Sequence, residues 1–116
     1  MLTPEKLCDI ATLALEDVKA KDIKVLNVQG LTSIADYMII CSATSSRQLQ
    51  ALANNVAKEA KAQGARPFNR NFTDQNEWAL VDLGDVIVHV MLPETREYYA
   101  LEKLWENVKG DEDHTD

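Results

Sequence analysis

Apolar residues recur along this chain with two different periods, and each period predicts an element. Leu7, Ile10, Ala11, Ala14 and Val18 fall three or four residues apart, the spacing of a helix with one buried face. Thr3 offers a capping hydroxyl and Pro4 a φ suited to a first turn. With Glu5 beside them, a helix is predicted from there to about Lys21. From Ile23 to Val28 apolar and polar residues alternate until Gly30, whereas Tyr37 to Cys41 is an unbroken apolar run. Two strands follow, the second the more buried. Asp36 sits directly before that second strand, where a carboxylate caps a turn or points into a cleft, the cap being the commoner role. Ser45 and Gln48 read as a capping box in which the hydroxyl accepts from first-turn amides and Gln48 reaches back to the Ser45 amide. Behind it, Leu49, Leu52, Ala53, Val56 and Ala60 form a second helical stripe, closed by Gly64 in a left-handed conformation. Arg66 to Thr73, with Phe68 and Phe72, fits a short edge strand or a packed loop.

Two further apolar runs, Trp78 to Asp82 and Asp85 to Met91, flank Leu83 and Gly84 and predict a hairpin. With those two residues as the loop, cross-strand partners carry numbers summing to 167. Trp78 then faces His89, Leu80 faces Ile87 and Asp82 faces Asp85, while Ala79, Val81, Val86 and Val88 line the other side and suit packing on helices. Opposed carboxylates repel, so the Asp pair needs a cation, a backbone donor or exposure to water, the last being commonest. Pro93 stops the strand, and a final helix is predicted from Thr95 to about Lys109. Tyr98, Leu101 and Trp105 share one of its faces, with Leu104 and Val108 beside them, a width typical of core. Tyr98 and Tyr99 diverge by roughly 100°, so at least one of them must reach solvent or a partner. The element order is α, β, β, α, an optional β, β, β, α, an α/β fold.

Composition limits what such a domain can meet. At 116 residues and 46 % hydrophobic content, the chain suits one domain with a real core. A formal charge of -7 disfavours naked nucleic acid and anionic membranes as partners. Gly110 to Asp116 holds four of the nineteen acids, which leaves fifteen against twelve bases and a body of about -3. We therefore expect a domain over residues 1–109 and an acidic, disordered tail over 110–116, the body suiting a basic protein partner. Cys8 and Cys41 lack any metal or redox spacing and read as buried thiols in a reducing compartment. Pro4, Glu5, Lys6 and Asp9 interrupt any N-terminal signal, and no apolar run approaches membrane-spanning length, so a cytosolic protein is expected. Arg47 with Thr44, Ser45 and Ser46 resembles an anion site at a helix start, although ordinary capping explains the hydroxyls without a glycine-rich loop.

Three ordered blocks carry a family likeness: SIADYMIICSATSSRQ at Ser33 to Gln48, EWALVDLGDVIVHVM at Glu77 to Met91, and REYYALEKLW at Arg96 to Trp105. Together they resemble the ribosomal silencing factor family, also called the Iojap family, over the whole chain before Gly110. The resemblance implies a single compact α/β domain with a central mixed sheet flanked by helices, nucleotidyltransferase-like in topology but with no established transferase activity. It also implies a cytoplasmic repressor of translation that uses no cofactor. Such proteins dock on the large ribosomal subunit through the ribosomal protein numbered fourteen, cover an intersubunit bridge and stop the small subunit from joining. Asn71 and Phe72 depart from an acidic residue and a glycine common in relatives, Asn27 from an Asp and Leu83 from a frequent Tyr.

On this reading the partner-binding residues are Trp78, Asp82, Asp85 and His89 from the hairpin, with Tyr98 and Tyr99 from the last helix. The acids would meet Arg or Lys of a basic ribosomal protein. No catalytic, cofactor-binding or metal-binding residue is expected. Two alternatives remain open. One is nucleotidyl transfer with Asp36, Asp82 and Asp85 on two Mg²⁺ ions and Arg47 and Ser45 on a triphosphate, although paired acids on one strand and a Gly-Ser turn are lacking. The other is a homodimer that buries the apolar hairpin face on both protomers.

Overall fold

The computed structural model describes residues 2–65 and 69–103. Helix α1 (Pro4–Asp17) precedes strands β1 (Lys21–Asn27) and β2 (Tyr37–Ser42), then helix α2 (Ser46–Ala62). Strands β3 (Asn69–Phe72), β4 (Trp78–Asp82) and β5 (Val86–Met91) follow, with helix α3 (Pro93–Tyr99) after them. One mixed sheet runs β1-β2-β5-β4-β3, in which only β2 and β5 are parallel. The expected α/β domain with a central mixed sheet is the observed architecture. Crossing from β2 to β5 consumes α2 and the β3-β4 pair, which is how a short chain places two non-consecutive strands side by side.

Helices α1 and α2 pack on one face of the sheet. Leu7, Cys8, Ala11, Ala14 and Leu15 of α1 meet Leu49, Leu52, Ala53, Val56 and Ala60 of α2. Beneath them lie Ile39, Cys41, Ala79, Val81, Val86, Val88 and Val90, so the face predicted to carry helices does so. Burial pushes both the Cys8 and Cys41 thiols up to about 12, which leaves them protonated and inert, small apolar members of the core.

The first helix ends earlier than its sequence suggested, at Asp17 rather than Lys21, because a backbone device closes it. Lys19 N–H donates to the Glu16 carbonyl and Ala20 N–H to the Leu15 carbonyl, the paired bonds of a Schellman turn, with Lys19 left-handed at φ 65°. Gly64 makes the same turn at the end of α2 with φ 96°, as expected, through Gly64 N–H to Lys61 and Ala65 N–H to Ala60. A glycine announces such a turn and a lysine does not.

At the start of α2, Ser45 Oγ accepts from Gln48 N at 3.1 Å. Gln48 does not return to the Ser45 amide, however. Its Oε1 accepts from Thr44 N at 2.6 Å and from Thr44 Oγ1 at 2.9 Å, while Nε2 donates to the Val18 and Lys19 carbonyls. One amide side chain thereby ties the start of α2 to the end of α1.

The hairpin differs from the expected register by two residues. Partners sum to 169: Trp78 pairs with Met91, Leu80 with His89 and Asp82 with Ile87. Leu83 N–H donates to the Val86 carbonyl, so the turn is Gly84 and Asp85 rather than Leu83 and Gly84. Gly84 supplies φ 89° at the first turn position, and Asp82 Oδ1 accepts from its N–H at 2.8 Å, which favours this turn over the expected one. A shift of two preserves the alternation, so the faces stand, but Asp82 and Asp85 no longer oppose each other. Asp85 also fixes the turn to β2, since its carbonyl accepts from both Asp36 N and Tyr37 N. Asp36 thus acts through its backbone.

The last helix begins at Pro93, earlier than Thr95, and is interrupted at Ala100, whose φ of 49° is left-handed. Leu101 to Lys103 are helical again, while Leu104, Trp105, Val108, the expected end at Lys109 and the acidic tail lie outside the described residues. Tyr98 is exposed, so the face it shares with Leu101 is not a core face. The ambiguous segment contains a strand, β3, which forms an exposed edge; Arg66 and Phe68 lie outside the described residues.

Gln48→Ala should cost about 1–3 kcal/mol of unfolding free energy, more than the ~1 kcal/mol expected for Ser45→Ala, because it strips acceptors and donors in two helix termini. Urea denaturation of the two variants checks the order.

Candidate functional site

Three aromatic side chains at one end of the sheet, backed by a buried histidine, form a continuous cluster. Thr73 Oγ1 accepts from the Glu77 and Trp78 amides and so fixes the entry to β4, placing Trp78 at its first position. From there Trp78 Nε1 donates to His89 Nδ1 at 3.1 Å, with ring centroids 5.8 Å apart. Tyr99 lies against the indole at 4.8 Å, and Tyr98 meets Tyr99 edge-on at 5.0 Å. Trp78 also lines, with Asn71, Phe72, Thr73 and Leu80, a shallow groove of about 140 Å³. Tyr98 is 81 % exposed, Tyr99 51 % and Phe72 37 %, an arrangement that offers π faces and two phenol hydroxyls to a partner.

His89 is only 6 % exposed and cannot itself touch a partner. Burial drives its pKa down to about 4, so the ring is neutral, and Nδ1 must be the unprotonated nitrogen because it accepts from Trp78. Its place in the site is therefore behind Trp78, holding the indole. Asp82 and Asp85 stand at the opposite end of the hairpin, roughly 13 Å along β4 from Trp78. Asp82 is engaged with the Gly84 amide, whereas the Asp85 side chain is exposed on the turn. The six expected residues thus separate into an aromatic cluster with a buried support and an acidic turn.

Asp36 and Asp85 adjoin through their backbones, but the acids of the metal-dependent alternative are not gathered into a ligand set. Among the described residues no three His, Cys, Asp or Glu side chains are grouped to hold a metal ion. Ser45 and Thr44 are occupied in capping α2, and Arg47 is exposed beside them. No helix among the described residues is long and apolar enough to cross a membrane.

Sequence reading missed Arg96. Its Nε and Nη2 donate to the two Glu102 oxygens at 2.7 and 3.1 Å, and Nη1 donates to the Asp22 carbonyl and to Ser42 Oγ. The hydrogen-bonded Arg96 holds the Glu102 carboxyl below the usual carboxylate range, and Glu102 raises the Arg96 pKa in return. A groove of about 520 Å³ opens beside this fork.

The model of the family described as "Ribosomal silencing factor during starvation" matches residues 2–116. This chain belongs to the ribosomal silencing factor family. A ribosomal silencing factor of Halalkalibacterium halodurans is 40 % identical over 104 residues, covering 90 % of this chain and 89 % of its own. A crystal structure of a Chromobacterium violaceum protein superposes with TM-score 0.88 at 43 % identity, covering 90 % of this chain and 88 % of that one. A mouse relative named mitochondrial assembly of ribosomal large subunit protein 1 is 39 % identical over 100 residues, covering 84 % of this chain but 44 % of the mouse protein. The family likeness seen in the three blocks is thereby shown.

His89 gives the fold an acid sensitivity. Below the ordinary imidazole value of 6.5 the unfolded chain takes up a proton that the fold refuses until about pH 4. Stability is therefore complete above 6.5, falls as pH drops through that window, and stops falling below about 4. The loss is on the order of 3 kcal/mol. Urea midpoints measured across the window should fall less steeply in His89→Gln than in the parent; equal slopes would show that His89 titrates normally.

Proposed function

We propose that this protein silences ribosomes by steric exclusion: it docks on the large subunit and occupies volume that the small subunit needs for joining. No bond is made or broken, and no catalytic residue is required. The observation that carries this reading is the ring-on-ring series of exposed Tyr98 and Tyr99 on half-buried Trp78, in a member of the silencing family, since aromatic anchors dominate protein docking surfaces. The name of the mouse relative supports the large subunit as the partner. The receptor is the ribosomal protein numbered fourteen, a basic surface that suits an acidic body and the exposed Asp85.

Light scattering of purified subunits tests the mechanism. Large subunits incubated first with this protein should fail to associate with small subunits, and normal joining at saturating protein would remove steric silencing. Tyr98→Ala should weaken large-subunit binding by about 1–2 kcal/mol. Asp85→Lys should weaken it too, through charge reversal on the turn, while thermal unfolding stays nearly unchanged. Cosedimentation with large subunits reads both variants; if Asp85→Lys sediments like the parent, the hairpin turn is not in the interface.

A further inference from the structure

Helix α3 carries both exposed tyrosines, yet little about it is self-supporting. It has seven residues, roughly 10 Å of helix, no side-chain cap at Leu92, and Thr95 as its one buried residue. A helix so short takes its orientation from whatever ties it to the sheet. The ties are laid out along a single row at the sheet end. Lys21 pairs with Ser42, Ser42 with Met91 and Met91 with Trp78, so β1, β2, β5 and β4 present their ends side by side. Three strand spacings, about 14 Å, separate the β1 end of that row from Trp78.

Arg96 grips one end of the row and Tyr99 the other. The guanidinium donates to Asp22 of β1 and Ser42 of β2, and Tyr99, three residues later on the same helix face, rests on Trp78 of β4. The remaining N–H groups of Arg96 hold Glu102, beyond the left-handed Ala100, which fixes the turn that leaves the helix. Two separated anchors define both the direction of α3 and its rotation about its own axis. With Tyr99 set, Tyr98 follows about 100° around the helix and is held outward.

We propose that Arg96 is the positioning residue of the docking surface: by bridging β1, β2 and Glu102 it sets α3 across the sheet end, seats Tyr99 on Trp78 and presents Tyr98 to the partner. The proposal rests on the docking reading above. Lysine cannot replace this arginine, because one ammonium does not reach four acceptors arranged around a planar fork.

The test combines two readouts on the full chain. In NMR spectra of the free protein, Tyr99 ring protons against the indole carry ring-current shifts, and cosedimentation with large subunits reports affinity. Arg96→Lys should collapse the Tyr99 shifts toward ordinary tyrosine values and reduce affinity at least about tenfold. Leu15→Val, in the core on the helix side, should lower the unfolding midpoint and leave both readouts where they were, which a merely structural role for Arg96 would not explain. Should Arg96→Lys not fold, Glu102→Gln must move the same Tyr99 resonances in the same direction. Retained Tyr99 shifts overturn the proposal, and so does intact affinity once those shifts are lost. Tyr98→Ala separates the two ideas: if it binds normally the docking reading fails, and the ring shifts alone still decide what Arg96 does.

Discussion

Strand β5 shows no exposed side chain from Val86 to Met91, so both faces of the sheet at this strand are covered and every polar group on it has to be paired inside the protein. Val86, Val88 and Val90 meet this demand by packing under α1 and α2. On the reverse face Ile87 and Met91 are apolar and buried too, and His89 between them is the polar exception. A charged imidazole there would lose its hydration without compensation, hence the neutral ring and the depressed pKa. A neutral ring has a free nitrogen lone pair, and Trp78 supplies the donor. The fixed indole is then the floor on which Tyr99 rests. Burial at the centre of the sheet thus propagates outward, through one hydrogen bond, to the aromatic surface proposed for docking.

The sheet faces were legible because alternation survives errors of two residues. A hairpin loop at Leu83 and Gly84 and one at Gly84 and Asp85 give the same inward set, Ala79, Val81, Val86 and Val88. What alternation cannot supply is which residues stand opposite, and that depended on the Asp82 carboxylate stabilising the Gly84 amide. The supposed Asp82 and Asp85 pair, with its repulsion, dissolved once the turn moved. Helix stripes were legible for a similar reason, while the end of α1 was not: a left-handed Lys19 closes it where glycine is the usual signal.

The site was only partly legible because it is held by two kinds of force. Helices α1 and α2 are held by periodic apolar stripes, which leave a pattern in sequence. By contrast, α3 is tied to the sheet by the Tyr99 ring on Trp78 and by an arginine whose acceptors there are a carbonyl seventy-four residues away and a serine fifty-four away. No spacing rule connects Asp22, Ser42, Arg96 and Glu102, since their proximity follows from strand order. Tyr98 and Tyr99 could be marked as candidates from their adjacency alone, but their orientation belongs to the fold.

The distribution of aromatic residues argues for the same surface from the side of the core. Among the described residues no Phe, Trp or Tyr is buried; the interior is made from Leu, Ile, Val, Ala, Met and Cys. Aromatic side chains bury the largest apolar areas, and a small domain gains most by placing them inside. Here Phe72, Trp78, Tyr98 and Tyr99 gather at one sheet end, while Tyr37 packs at the core margin with its hydroxyl donating to Glu5. Leaving these described aromatics out of the core forgoes stability they could have supplied. The proposed docking would recover that stability, because rings left open at this sheet end become buried on both sides against a partner.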